Sequence, residues 1–154
     1  MVYWVPVSSE VYQVRVAEAL IECYWDEACT RPVTSIDWGT LYPGQTKNVL
    51  IYVLNAGGAP ISLTLSTANW NPPEAELYLT LSWDYDGRLI YPRQVLPITL
   101  SLTVSLNVPT TITDFSFDII ISGYTIGGLR ALAPWLSKVK AKGRVMVTKI
   151  YIFS

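Results

Sequence analysis

Apolar and polar residues alternate one by one along most of this 154-residue chain. The clearest run is 95–106, where Ile98, Leu100, Leu102 and Val104 share one parity and serine and threonine occupy the other. Such period-two alternation puts one set of side chains in a core and the other in water. Further runs cover 11–25, 33–39, 47–54, 61–65, 77–83, 115–121 and 144–153, separated by Pro-, Gly- or Asn-containing turns. The pattern predicts an all-β, Ig-like antiparallel β-sandwich of about eight or nine strands.

The stretch near 128–137 is the one place with helix-like composition, and Gly127, Gly128 and Pro134 limit it to a short helical turn. No composition shift marks a domain boundary, so we expect a single domain over 1–154. Within it we distinguish an N-terminal strand or arm (1–19), an Ig-like core (20–123) and a basic C-terminal extension with a terminal strand (124–154).

Charged residues are sparse, at 15% of the chain, and their signs are segregated. Residues 1–118 hold twelve acidic and five basic residues, a net charge of −7, whereas 119–154 hold six basic residues and no acidic one. Three interpretations follow. The basic end of one subunit meets the acidic body of the next, or it binds an anionic surface. In the third, a basic hairpin folds against its own acidic body.

The composition excludes much chemistry, because the chain has no histidine. Ser-His-Asp and Cys-His catalysis and imidazole metal sites are therefore ruled out. Asp84 and Asp86 resemble half of a calcium loop, but the following Arg88-Leu-Ile supplies no further ligand. A hairpin turn over 84–87 that leads into a strand at 89–91 explains them. We expect no enzyme activity, catalytic residue, cofactor or metal site.

Four basic residues, Lys138, Lys140, Lys142 and Arg144, alternate on one strand face, but no base-stacking aromatic set interleaves with them. We therefore expect no nucleic-acid partner. The two long uncharged stretches, 48–73 and 94–113, are broken by proline, glycine or asparagine. We expect no transmembrane segment and no signal peptide in this chain.

Two cysteines, Cys23 and Cys29, are separated by five residues. Without histidine they cannot complete a zinc site by themselves, and the spacing is not that of a redox Cys-x-x-Cys motif. A disulfide closing a short loop fits this spacing and predicts an oxidising compartment or the cytoplasm of a hyperthermophile. Two buried thiols are the alternative.

Aromatic residues are the candidate binding groups. Trp70 lies in a Pro-rich loop and Tyr85 in a turn, where exposed rings suit a carbohydrate or a protein ligand. Packing of these rings in the core or in turns is the alternative.

Several motifs, in this order, resemble secreted Ig-like domains common in archaeal genomes. They are Tyr24-Trp-Asp, Trp38-Gly-Thr-Leu-x-Pro-Gly44, Asn69-Trp-Asn-Pro72, the Leu79–Gly87 stretch with Trp-Asp-Tyr-Asp-Gly, and Phe115-Ser-Phe-Asp-Ile-Ile-Ile-Ser-Gly123. The resemblance covers about 20–123 and implies an extracellular or cell-surface location. Some similar sandwiches form filaments in which a terminal strand of one subunit completes the sheet of its neighbour.

Both chain ends are apolar and β-prone, and an unpaired strand of this kind promotes aggregation unless something pairs it. Either both strands pair within their own sandwich, or a strand of one copy pairs with the sheet edge of a neighbour. The candidate assembly strands carry Val5, Val7, Val11, Val14 and Val16 near the N-terminus, and Val145, Val147, Ile150 and Ile152 near the C-terminus. We therefore predict a non-enzymatic extracellular structural subunit that self-associates, as a pilus- or thread-like filament built by terminal strand exchange. The alternative is a cell-surface module that binds carbohydrate or protein.

Overall fold

A computed structural model describes residues 21–125 and 135–145. Within these residues, eight strands and one short 3-10 helix follow one another. They are β1 (Ile21–Tyr24), β2 (Ser35–Leu41), β3 (Thr46–Asn55), β4 (Ile61–Asn71), the 3-10 helix (Pro73–Leu77), β5 (Leu79–Trp83), β6 (Val95–Val104), β7 (Asp114–Thr125) and β8 (Trp135–Val145). The predicted all-β sandwich is confirmed.

The strands form two four-stranded sheets. Sheet one has the order β1-β3-β6-β5, and sheet two has the order β2-β8-β7-β4. Every pairing between the described strands is antiparallel except that of β2 with β8, a parallel pair that the antiparallel prediction did not include. We call the end of the sandwich where β2 and β8 finish and β3 and β5 begin the lower end, and the opposite end the upper end.

The core lies between the sheets and is filled by the inward parity of each strand. On β6 the inward set is Ile98, Leu100, Leu102 and Val104, all at most 1% exposed, as the alternation predicts. Across from it β7 contributes Phe115, Phe117, Ile119 and Ile121. Trp38 from β2 is also buried, although its indole N–H has no hydrogen-bond partner among the described residues.

Two local predictions differ from the structure. Of the helical turn expected near 128–137, residues 128–134 lie outside the described residues, and 135–137 belong to β8 because their backbone pairs with residues 121–123 of β7. The connection after Trp83 is longer than the predicted tight hairpin. β5 pairs with β6 rather than with 89–91, and Ile90 instead bridges Ile61 at the start of β4.

Candidate functional site

The edge strand β5 is formed by the uncharged sequence Leu-Thr-Leu-Ser-Trp. The 3-10 helix, which has Pro72 as its N-cap and Pro73 as its first residue, lies just before β5 in the sequence. One side of β5 pairs with β6 along its whole length. Leu79 is buried, whereas Leu81 and Trp83 are half-buried although they point toward the core. Apolar side chains are thus only partly covered along this edge.

The hydrogen-bond pattern shows which backbone groups of β5 are used. Ser105 donates its N–H to the Tyr78 carbonyl at 2.8 Å, and Asp84 donates to the Thr99 carbonyl at 3.2 Å. In an antiparallel ladder alternate residues bond to the same neighbour, so the N–H and C=O groups of Leu79, Leu81 and Trp83 point away from β6. Within 21–125 and 135–145 no strand pairs with that side of β5. We call this side of β5 the open edge.

The outer side of β1, by contrast, is covered by the segment that follows it. Val33 donates its N–H to the Cys23 carbonyl at 2.9 Å, and Trp25 donates to the Arg31 carbonyl at 2.8 Å. Tyr24 also forms an isolated bridge with Pro32. From Cys23 to Trp25 the chain therefore covers this edge with its own backbone.

The outer side of β2 is protected by a bulge and by charge. Its register with β8 shifts between Asp37 and Thr40, where Gly39 adopts a φ of 69° and its N–H bonds to Asp37 Oδ1 at 2.9 Å. The Lys47 ammonium donates to the Trp38 carbonyl at 3.1 Å. Bulges and edge charges of this kind discourage pairing with another chain.

The outer side of β4 is capped at its upper part and bulged at its lower part. Ile61 and Ile90 exchange backbone hydrogen bonds, and the Leu63 N–H donates to the Tyr85 hydroxyl at 3.1 Å. Lower down, the register with β7 shifts between Ala68 and Asn71, and Asn69 has a φ of 55°. The lower part of β3 and the upper part of β8 also lack a neighbour on one side among the described residues. Each of these parts carries a lysine. The open edge of β5 is therefore the least protected edge in the described part of the chain.

The two candidate binding aromatics are engaged in the fold. The Trp70 ring stacks on Phe117 with centroids 4.1 Å apart, and its N–H donates to Thr67 Oγ1 at 3.0 Å. The Tyr85 hydroxyl caps β4 at Leu63, and its ring packs at a tilt against Trp83 with centroids 5.2 Å apart. Trp70 and Tyr85 are therefore brought to the same side of the sandwich, but each makes structural contacts there.

The basic strand β8 lies in the middle of an outer face flanked by acidic residues. Arg144 Nε is 3.3 Å from Asp114 Oδ1, Lys142 Nζ is 4.0 Å from Asp37 Oδ2, and Lys140 Nζ is 3.9 Å from Asp118 Oδ1. Three cations on one strand thus face three carboxylates on its two neighbours. Of the three interpretations of the segregated charge, this geometry supports a basic segment folded against its own acidic body.

One carboxylate of this outer face, Asp118, is buried, with a side chain only 7% exposed. The Asn69 side-chain amide donates to Asp118 Oδ2 at 2.7 Å. Asn69 reaches Asp118 from the bulge in β4, where its backbone is left-handed. Asparagine tolerates this conformation better than most residues. The Asn69–Asp118 pair ties the edge strand β4 to the central strand β7.

The predicted disulfide between Cys23 and Cys29 is not formed in the structure, which holds both residues as thiols. Cys23 is buried on the inward face of β1, whereas Cys29 lies in the following loop with a φ of 60° and its thiol directed at the Glu27 carbonyl, 3.7 Å away. Burial, reinforced by the negative charges of Asp26 and Glu22, raises the pKa of the Cys29 thiol. A protonated thiol is a poor nucleophile, so we expect Cys29 to react slowly in the folded protein.

The carboxylates of the calcium-like turn, Asp84 and Asp86, already bond to other groups of the protein. Asp84 Oδ1 accepts the Thr99 N–H at 2.8 Å, and Asp86 forms a double contact with Arg88, with an Nη2 to Oδ2 distance of 2.7 Å. Hydrogen bonds from the Arg88 side chain lower the pKa of Asp86 to about 2. Among the described residues no group of three or more Cys, Asp or Glu side chains is placed to hold a metal ion.

Most predicted assembly residues lie outside the described residues: Val5, Val7, Val11, Val14, Val16, Val147, Ile150 and Ile152. Val145 ends β8, where it pairs with Leu41. The open edge of β5 was not singled out by the sequence. The absence of charge, proline and glycine from β5 is visible in the sequence. The sequence does not show, however, that β5 lies at the edge of its sheet.

No protein-family model and no curated protein matches this sequence. Among solved structures, the ASH/PapD-like domain of human CEP192 (PapD-like domain 7) superposes with a TM-score of 0.58 at 11% identity, covering 86% of this chain and 89% of that domain. A family 123 glycoside hydrolase from Clostridium perfringens superposes with a TM-score of 0.58 at 10% identity, covering 83% of this chain but 28% of the hydrolase.

These likenesses establish the fold, an Ig-like all-β sandwich, and no more than the fold. The chain corresponds to less than a third of the hydrolase, and identities near 10% carry no site residue across. No helix within 21–125 or 135–145 is long and apolar enough to cross a membrane.

Proposed function

We propose that this protein is a non-enzymatic structural subunit, extracellular or at the cell surface, that self-associates by adding a strand of one copy to the open edge of another. The observation that carries the proposal is the contrast between β5 and the other edges. β1, β2 and β4 are covered, charged or bulged, whereas β5 has backbone groups that no strand within 21–125 or 135–145 pairs with, beside the partly exposed Leu81 and Trp83.

Strand addition hydrogen-bonds the outward backbone groups of this edge and buries its exposed apolar surface. A fifth strand in sheet one accepts and donates the hydrogen bonds that Leu79, Leu81 and Trp83 direct outward, and its inward side chains cover the half-buried ones. The resemblance to archaeal secreted sandwiches supports the same proposal, since strand exchange is known among similar domains. No observation favours the carbohydrate-binding alternative, because Trp70 and Tyr85 already have structural partners.

The test measures the mass of the full chain by sedimentation velocity over a wide range of concentration. We expect concentration-dependent association of the unmodified chain. Leu81→Pro removes one N–H that faces the open edge and costs no hydrogen bond within the sheet, so it blocks strand addition while the fold persists.

Leu65→Pro is the matched control. It replaces a half-buried leucine of the edge strand β4 whose N–H also faces away from its neighbour, so it leaves association unchanged. Thermal melting confirms that both variants fold, and Leu81→Lys, an inward-pointing edge charge, replaces Leu81→Pro if that variant unfolds. A strict monomer at every concentration, or equal association of the Leu81 and Leu65 variants, contradicts the proposal.

A further inference from the structure

Three large apolar side chains are exposed together at the lower end of the sandwich. Leu77 is 77% exposed, Leu106 is 79% exposed and Tyr42 is 46% exposed. The Gly44 N–H bonds to the Val104 carbonyl at 2.8 Å, which holds the turn containing Tyr42 beside the end of β6. We call Tyr42, Leu77 and Leu106 the end surface. Leu77 lies two residues before β5, so the end surface adjoins the open edge.

β8 leaves sheet two at this same end. Arg144 pairs with Asp114, the first residue of β7, and Val145 pairs with Leu41, the last residue of β2. Both neighbours of β8 thus stop where the final nine residues of the chain begin. Nine extended residues span about 30 Å, which is ample for a strand on another molecule.

Resting on the proposed function, we propose that residues 146–153 of one copy are the strand added to the open edge of a second copy, and that the end surface is buried between the two. The sequence Met-Val-Thr-Lys-Ile-Tyr-Ile-Phe is β-prone and contains no glycine, proline, asparagine or aspartate. It lacks the residues that favour tight turns.

The alternation of side chains along 146–153 determines which of them would face the core of the acceptor copy. Lys149 belongs in water, which assigns Val147 and Tyr151 to the outer parity. Ile150 and Ile152 then share the inner parity, where they cover Leu81 and Trp83 of the acceptor. The donor strand and the open edge therefore supply complementary apolar faces.

The N-terminal segment fits the open edge less well. Residues 2–16 include Pro6, Glu10 and Arg15, of which the proline removes a backbone donor. That segment also joins β1 at Ile21, which pairs with Asn55 at the upper end of the sandwich, away from the end surface. The observations therefore favour the C-terminal donor.

The experiment uses full-length variants and sedimentation velocity. Ile150→Asp places a charge on the inner parity and weakens association by at least about 100-fold, since an unpaired charge is costly to bury. Val147→Asp, on the outer parity, is the matched control and leaves association unchanged. Leu106→Glu weakens association because the end surface is buried in the assembly. A synthetic peptide of residues 146–154 added to the unmodified chain competes for the open edge and dissociates the assembly.

The outcomes separate this inference from the proposed function. If the unmodified chain is a monomer, the proposed function fails and the inference with it. If the chain associates but Ile150→Asp leaves association intact, or if Val14→Asp abolishes it instead, the C-terminal donor is wrong while strand addition at β5 stands. If Ile150→Asp acts and Leu106→Glu does not, the end surface is not part of the interface.

Discussion

The contact between Asn69 and Asp118 provides a direct test of the fold around β4. Asn69 donates a 2.7 Å hydrogen bond to a carboxylate that is 7% exposed, from a backbone position with a φ of 55°. Asn69→Asp keeps the shape of the side chain and tolerates the same backbone conformation. It replaces the donor by a second carboxylate.

The structure sets the size of the effect. A hydrogen bond to a charged group contributes about 1.5–3 kcal/mol, and like charges at hydrogen-bond distance add repulsion at neutral pH. We expect Asn69→Asp to lower the free energy of unfolding by about 3 kcal/mol, or roughly 6–12 °C in melting temperature for a domain of this size. The double variant Asn69→Asp with Asp118→Asn exchanges donor and acceptor, and recovers about 1.5 kcal/mol or more of that loss.

Urea unfolding at pH 7, followed by circular dichroism, measures all three proteins. Lys140→Ala serves as a control for the nearby ion pair, which joins Asp118 to an ammonium that is 80% exposed and is therefore worth less than about 1 kcal/mol. If the double variant is no more stable than Asn69→Asp alone, the two side chains are not coupled and the description of the bulge is wrong.

Three further predictions concern packing, thiols and charge. Gly143→Ala places a methyl group 2.5 Å from Cζ of Phe115 and lowers the unfolding free energy by about 1–3 kcal/mol, whereas Gly58→Ala, with open space around it, is nearly neutral in the same melts. Both cysteines react with a thiol reagent in denaturant without reductant, and reductant leaves the melting temperature unchanged; one disulfide per chain contradicts the structure. Arg88→Ala raises the pKa of Asp86 from about 2 toward 3.8 in an NMR titration. Because the folded-state pKa is lowered, the pair stabilises the fold above pH 4, and this contribution disappears as the pH falls from about 4 to about 2.

The strands were predictable where alternation and turn residues agree. β6 and β7 follow the predicted parity through their inward Ile98, Leu100, Phe115 and Phe117. Such strands are recognisable because a one-residue slip would expose the whole buried set. β8 was harder to predict, because Gly143 and Ala141 fill inward positions with little apolar surface and one of its pairing partners, β2, is remote in sequence.

The disulfide and the edges could not be read from the sequence for a different reason. A spacing of five residues between Cys23 and Cys29 does not show that one side chain points into the core and the other out of a loop. Likewise, nothing local to β5 shows that β6 pairs with one side of it only. Both properties depend on which distant strands lie side by side, and this is information that a period-two pattern does not carry.

The internal pairing of β8 changes what should drive assembly. Lys142 and Arg144 already face carboxylates of their own chain, whereas the open edge formed by 79–83 carries no charge. If copies associate through that edge, the gain comes from backbone hydrogen bonds and apolar burial, neither of which is screened by salt. We therefore expect the association constant to change by less than about threefold when the ionic strength rises from low to several hundred millimolar, since screening weakens only charge–charge contacts over such a range. A steep loss of association with salt in sedimentation experiments would instead show that the basic end of one subunit binds the acidic body of the next, and it would remove β5 from the centre of the mechanism.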